Sequence, residues 1–172
     1  MEGDVDAFAA LVDRHGPDAY RLATAILGPA DAHDATQDAL LSAWRQLPRL
    51  RQPDRFLPWL RRITVNRCRD LLRQSKRRVQ PLSLDAEEAL PEIPAGGADF
   101  RVTIEHREIL DRAFEALTAD QRSVLALHYS ADLSIRDAAR VLRIPAGTAK
   151  SRLNSALRAL RVALEATEVR RG

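Results

Sequence analysis

Apolar positions in this chain recur every three or four residues almost throughout, and no stretch alternates with the two-residue period of a strand. Behind Asp4, the residues Val5, Phe8, Ala9, Leu11 and Val12 predict a first helix that ends near His15-Gly16-Pro17. A second helix is expected from Pro17, with Tyr20, Ala23, Thr24 and Leu27 along one side, stopping at Gly28-Pro29. Asp31 is placed to cap a third, with Asp34 in the position of a capping box. That helix continues through Ala35, Ala39, Leu40, Ala43, Trp44 and Leu47 to Pro48. A connector, LPRLRQPDR, separates it from a fourth helix opening near Asp54. The fourth carries Phe56, Trp59, Leu60, Ile63, Thr64, Arg67 and Leu71 as far as Ser75. Pro58 is tolerable there only because it lies in or just after the first turn, where a missing N–H costs nothing.

The pattern then changes. Pro81, Pro91, Pro94, Gly96-Gly97 and the acids Asp85, Glu87 and Glu88 leave little to bury, so a mostly extended linker is expected. Helical period resumes at Ile104 and runs to Leu117, and Thr118 with Gln121 forms a capping box for a helix bearing Val124, Leu125 and Leu127. From Leu133 the sequence reads as two helices around a turn. Ser134 is an N-cap with Asp137 three residues later, and Ala138, Ala139, Val141 and Leu142 form the packed side. Pro145 ends that helix, because it disfavours helical geometry in the residue before it. At a step of about 100° per residue, Ala149, Leu153, Ala156 and Leu160 share one side of the next helix. Gly147, Ser151, Asn154 and Arg158 face away, with Lys150 and Arg152 on the flanks. Such a helix docks by one face and offers short donors and cations to a DNA groove by the other. The expected organisation is all-α: a domain at 1–78, a linker at 79–103, a second domain at 104–165 and a frayed tail at 166–172.

Composition adds little. Lys plus Arg number 27 against 24 acids, a net charge of +3, so the placement of the cations matters more than their sum. Residues 61–78 hold Arg61, Arg62, Arg67, Arg69, Arg73, Lys76, Arg77 and Arg78 against one acid, Asp70, a field that backbone phosphates would feel. The connector upstream, with Phe56 and Trp59 beside it, is suited to a single strand: charge follows the phosphates while side chains hold an unstacked base. One cysteine, Cys68, excludes a disulfide framework and a Cys-rich zinc site. His15, His33, His106 and His128 lack metal-ligand spacing, and no Gly-rich phosphate loop occurs. No apolar run approaches the roughly 20 residues of a membrane span, and the acidic start MEGDVD is unlike a signal peptide. A reduced, cytoplasmic, non-enzymatic protein without metal or cofactor is expected.

Two segments carry a resemblance. Residues 31–75, with ADAHDATQDALLSAW and RFLPWLRRITVNRCRDLLR, resemble region 2 of bacterial sigma-70-type factors. Residues 110–161, with LTADQRSVLALHY and LSIRDAARVLRIPAGTAKSRLNSALRALR, resemble their region 4. Other helix-turn-helix regulators share only the second motif; the ordered pair on a short linker is similar to the extracytoplasmic-function (ECF) subfamily. The resemblance implies promoter recognition with core RNA polymerase. Gln37, Asp38, Leu41 and Trp44 stand where the family grips the clamp of the largest polymerase subunit. Phe56 and the connector match the segment that captures a flipped base of the −10 strand, and Trp59, Arg62, Asn66 and Arg67 match the adjoining helix. Thr148, Lys150, Ser151, Arg152, Asn154 and Arg158 match the −35 recognition helix. The apolar part of region 4 would seat the flap of the second-largest subunit, and the linker would thread toward the active centre. The sequence departs from the family pattern at His33, Ala35, Pro58 and Ala149, which leaves a degenerate, weakly active factor as an alternative. The resemblance also implies an anti-sigma factor covering both domains, and with few residues after region 4, control by a separate protein or by expression level is expected rather than by a fused sensor.

Overall fold

The computed structural model describes residues 2–78 and 113–169, with side chains from 5 to 75 and from 113 to 165. Every regular element among them is helical. The linker expected at 79–103 and the helical start expected from Ile104 lie outside the described residues.

Helix α1 spans Glu2–Leu27 without a break, where two helices were expected. The apolar stripe explains the difference. Phe8, Leu11, Ala19, Leu22 and Ile26 all face the core on both sides of Pro17, so a single continuous helix buries them together. Proline inside a helix costs about 3 kcal/mol or more, chiefly through the bond it removes. Here Pro17 and Asp13, whose carbonyl loses its donor, are both exposed, and water can satisfy the freed oxygen.

Helix α2, Pro29–Gln46, starts two residues before the expected cap. Gly28 is the N-cap residue at φ 90°, ψ 170°, a conformation open to glycine and strained for other residues, and Pro29 occupies the first turn. Asp31 is therefore a first-turn acid favoured by the helix dipole, and not the cap. Ala32, Ala35, Thr36, Ala39 and Ala43 form the buried face, and their small size lets α2 lie close against α1 and α3. The connector folds into two 3₁₀ turns, Leu47–Arg49 and Pro53–Arg55, and the second leads directly into α3, Phe56–Arg78. Pro58 sits in the first turn of α3, as its missing N–H requires.

The second domain begins, within the described residues, with a helical stretch at 113–115. Thr118 then caps α4, Ala119–Leu125, with both halves of the predicted box formed: the Gln121 amide donates to Thr118 Oγ1 (3.2 Å), and the Thr118 amide donates to Gln121 Oε1 (2.8 Å). The chain widens into a π turn at Ala126–Ser130. Helix α5 covers Ile135–Leu142, capped by Ser134, whose Oγ accepts from the Asp137 amide at 3.1 Å. Asp137 does not return the bond to the backbone; its carboxylate accepts instead from the Ser134 hydroxyl at 2.6 Å. Pro145 does not end α5 alone. Arg143 adopts the left-handed conformation (φ 55°), and the amides of Arg143 and Ile144 close back on the Arg140 and Ala139 carbonyls as a Schellman motif. Helix α6, Ala146–Val169, continues past Glu165, so the tail expected to fray there is helical to Val169.

The two domains are not separate bodies. Helices α4 and α5 and the π turn pack on α1 and α3, and one apolar cluster runs from Leu22, Ile26 and Val65 to Leu117, Val124 and Leu127. Polar contacts cross the same seam. Arg122 is buried and donates from Nη1 to the carbonyl of Ile26 at 3.4 Å, giving the C-terminus of α1 the cation that α1 itself lacks in its last turn. Its Nε is buried without a partner, which offsets part of that gain. Cys68 is fully buried on α3, and burial pushes its thiol up to about 12, so it is an inert packing residue.

Within the first domain, Arg61 of α3 grips Asp18 of α1 through Nε (2.9 Å) and Nη2 (2.7 Å), with both side chains largely buried. The Arg61 bonds hold the Asp18 carboxyl below its ordinary value of 3.8, against the opposing effect of burial. A depressed carboxylate pKa contributes stability that is complete above the ordinary value and is lost as pH falls through the folded-state value. Asp18→Ala is expected to lower unfolding free energy by about 2–3 kcal/mol at pH 7, since it strands a largely buried guanidinium. Urea titrations of both proteins should show that gap closing as the pH is taken below about 4.

Candidate nucleic-acid and polymerase interfaces

Three surfaces collect the residues singled out in the sequence. The first is the outer face of α6. Ala149 and Ala156 are fully buried and Leu153 nearly so, which fixes the helix on α4 and α5. That anchoring turns Gly147, Lys150, Ser151, Asn154 and Arg158 outward, all exposed, with Thr148 half-buried at the start of the helix. The predicted facing is reproduced residue for residue, apart from Leu160, which is only half-buried. Arg152 differs in another way. It is not extended toward solvent but pairs with Asp120 of α4, Nη2 to Oδ2 at 3.1 Å. Asp120 also accepts from Arg69 of α3, so one carboxylate joins α6 to the other domain.

The second surface is a cleft of about 930 Å³ between the domains. Its first wall comes from the connector and the start of α3, including Arg49, Arg51, Arg55, Trp59 and Arg62. The facing wall is α5 with the residue before it, contributing Leu133, Asp137, Arg140 and Val141. Trp59 and Arg62 are half-buried there, and Asn66 is exposed further along α3. Burial, and then the charge of Arg143 across the seam, make the Arg62 guanidinium easier to deprotonate than an ordinary arginine; it remains a cation at any working pH.

Two residues assigned to this surface sit elsewhere. Phe56 is 4% exposed, its ring packed 5.4 Å from His15 and 5.8 Å from Trp59. It is therefore a core residue that supports Trp59, and not a platform on which a base can stack. An apolar residue opening a helix beside an aromatic neighbour is drawn into the core unless something holds it out. Arg67 is committed as well, donating through Nε to Asp38 Oδ2 at 2.9 Å. The sequence assigned these two to different partners, and the fold ties them to each other across α2 and α3.

The third surface is the exposed side of α2. Leu41 is 54% and Trp44 37% exposed, with Gln37 exposed one turn earlier. Trp44 leans on Phe8 of α1 with ring centroids 4.9 Å apart, so its ring is fixed while one side stays open. Leu41 and Trp44 thus leave apolar area open to solvent beside polar Gln37.

Sequence reasoning missed Arg49, Arg51 and Arg55 as cleft residues and Asp120 as a shared partner. The three arginines were visible as a basic rhythm in the connector. Asp120 carries no such signal, because a first-turn acid is common at any helix start. Among the described residues no group of His, Cys, Asp and Glu side chains could hold a metal ion, and no helix is long and apolar enough to cross a membrane.

Comparison with known proteins gives the family. Residues 11–78 match the family Sigma-70 region 2, and residues 107–160 match Sigma-70, region 4. The ECF RNA polymerase sigma-E factor of Escherichia coli K12 is 31% identical over 168 residues, covering 93% of this chain and 87% of the relative. A probable RNA polymerase sigma factor, RfaY of Xanthomonas campestris pv. campestris, is 34% identical over 131 residues, 74% of this chain and 32% of that one. Among solved structures, CnrH in complex with the cytosolic domain of CnrY aligns at a TM-score of 0.64 with 28% identity, covering 96% of this chain and 92% of that chain. The sigma factor RpoE of Bartonella quintana, solved with the anti-sigma factor NepR, aligns at 0.63 with 25% identity over 92% and 97%. With both regions matched in order and a curated relative covered almost end to end, the chain belongs to the extracytoplasmic-function subfamily of the sigma-70 family of RNA polymerase sigma factors.

Proposed function

We propose that this sigma factor reads a −35 element through the outer face of α6 and a −10 element through the cleft wall of Trp59 and Arg62, while α2 binds core polymerase. The observation that carries the reading is the division of the first half of α6: a sealed Ala149-Leu153-Ala156 side, and an exposed side where Gly147, Lys150, Ser151 and Asn154 offer short polar groups and a cation, with apolar Leu157 and Val162 exposed only further along. Lys150 and Arg158 would hold the phosphates that set register. Thr148, Ser151 and Asn154 would reach base edges in the major groove, joined by Arg152 once it leaves Asp120. On the other domain, Arg49, Arg51 and Arg55 would track the single-strand backbone while Trp59 offers its half-open face to an unstacked base. Phe56 holds Trp59 from beneath. Melting costs several kcal/mol, which stacking and polymerase contacts offset. The factor performs no chemistry of its own and needs no cofactor; it works in the cytoplasm with the polymerase.

Gln37, Leu41 and Trp44 would seat against the clamp of the largest polymerase subunit, with Asp38 fixed by Arg67 at the edge of the contact. Apolar parts of the second domain would receive the flap of the second-largest subunit. An anti-sigma factor is the expected negative regulator, in line with the bound partner named for the Bartonella quintana neighbour.

Run-off transcription with core polymerase on fragments of the source genome tests the whole reading, and discrete transcripts that depend on the added protein are expected. Protein that binds core yet yields no transcript from any fragment would count against promoter-specific activity. Leu41→Asp should weaken core binding by roughly 10-fold or more in a competition assay, because it puts a charge into an apolar contact, with the circular dichroism spectrum unchanged. Lys150→Ala combined with Arg158→Ala should weaken binding to a −35 duplex by roughly 10- to 100-fold and flatten its salt dependence. Unaltered affinity and salt slope in that double variant would remove α6 from the interface.

A further inference from the structure

We propose that His15 is a positioning residue for −10 recognition: through Phe56 it fixes the tilt of the Trp59 ring that receives an unpaired base. The inference rests on the role proposed above for Trp59 and assigns what holds that ring in place. A polar residue in an apolar row is the first observation. Phe8, Leu11, His15, Ala19, Leu22 and Ile26 follow one another at intervals of three or four along α1, and His15 is the one member of the row that is not apolar. The helix runs through this position without a cap or a turn, so helix formation does not call for an imidazole there.

The ring contacts give the position its use. His15 is half-buried, and its ring lies 5.4 Å from that of Phe56, centroid to centroid, with the planes 43° apart. Phe56 in turn meets Trp59 at 5.8 Å and 51°. Both separations fall in the range in which tilted aromatic pairs attract. The three rings form a series that starts on α1, passes through the buried first residue of α3 and ends on the wall of the cleft, where Trp59 is half-buried. Phe56 is held between its two ring neighbours. Removing the imidazole leaves space on the α1 side into which Phe56 can turn, and Trp59 then loses its backing.

The frame around the rings does not depend on them. Asp18 lies three residues beyond His15 on α1, and Arg61 two residues beyond Trp59 on α3; their paired hydrogen bonds of 2.9 and 2.7 Å tie the two helices together. The helices therefore stay in register when His15 is changed, and the effect is confined to ring orientation. A ring already oriented matters because it loses less conformational freedom when the base arrives.

The test follows the Trp59 ring in the full chain. The sequence has two tryptophans, so incorporation of 5-fluorotryptophan gives two fluorine resonances, and the one absent from Trp59→Phe belongs to Trp59. His15→Ala should shift and broaden that resonance; alanine is a good helix former, so the fold is kept. The same variant should bind a fluorescein-labelled oligothymidylate of about 12 nucleotides about five-fold more weakly, the effect of losing one aromatic contact. His15→Phe should restore both signals, because it keeps a ring and discards the imidazole nitrogens. Binding to a −35 duplex should be unchanged in both variants, which a general loss of fold would not allow. An unmoved Trp59 resonance in folded His15→Ala would overturn the proposal. So would a His15→Phe protein that fails to restore the ring signal, or an equal loss of −35 binding. Trp59→Ala that binds the single strand as tightly as wild type would instead overturn the role given to Trp59, while the fluorine resonance would still report whether His15 fixes the ring.

Discussion

The fold depends on α1 continuing through Pro17. The helix contributes to both apolar clusters: Phe8, Leu11 and Ala19 pack with Ala39, Ala43, Phe56, Leu60 and Ile63, while Leu22, Ala23 and Ile26 enter the cluster that continues into the second domain. Broken at Gly16-Pro17, the two halves would be free to diverge, and the second domain would lose the surface on which α4 and the π turn rest. Proline is accepted because it falls on the solvent side, where the unpaired carbonyl is hydrated and the ring displaces nothing. The bidentate Arg61–Asp18 pair lies one residue beyond Pro17 and braces that point against α3. A local fault in the helix is thus braced by a contact 43 residues away in sequence.

Arginine dominates the basic residues here, and the fold divides the arginines by whether an aspartate faces them. Arg61, Arg67, Arg69 and Arg152 each have one, from Asp18, Asp38 or Asp120, and they act as fixed struts. Arg49, Arg51, Arg55 and Arg62 line the cleft and remain available to an anion. Net charge could never separate these groups, because a planar guanidinium serves a carboxylate and a phosphate equally well. The partner, set by the fold, decides the role.

Much of this was legible in the sequence, for identifiable reasons. The helical period, the Thr118-Gln121 box, the Ser134 cap and the two faces of α6 are local features, encoded within a few residues of where they act. The continuity of α1 was hidden because Gly16-Pro17 is a strong local stop signal, and the tertiary stripe that overrides it spans the entire helix. The start of α2 was hidden for a related reason: Gly28 ends α1 as its sequence signals, but Asp31, a good cap by chemistry, masked that the positive φ glycine supplies without strain also starts the next helix there. The buried position of Phe56 and the Arg152–Asp120 pair depend on contacts between distant segments, which no periodicity records. Region-level function was therefore readable before individual side-chain roles were.

The alanines that depart from the family pattern take on a physical meaning in this arrangement. Ala35 and Ala149 are both fully buried, so each lies where a larger side chain would need room that the packing does not leave. In α2 the run Ala32, Ala35, Ala39 and Ala43 lets three helices approach with little side chain between them. Taken alone, a small residue at a core site forfeits about 1–2 kcal/mol of apolar burial relative to valine or leucine. That loss is recovered only where neighbouring backbones close the gap, and zero exposure at both positions is what closure produces. The departures fit a tightly drawn core, and they lie on the inner faces of α2 and α6, away from the exposed residues that would meet polymerase and DNA. At these two alanines, the chain varies its core away from the family pattern without touching the outer faces of α2 and α6, whereas His33 and Pro58 are departures on exposed surface.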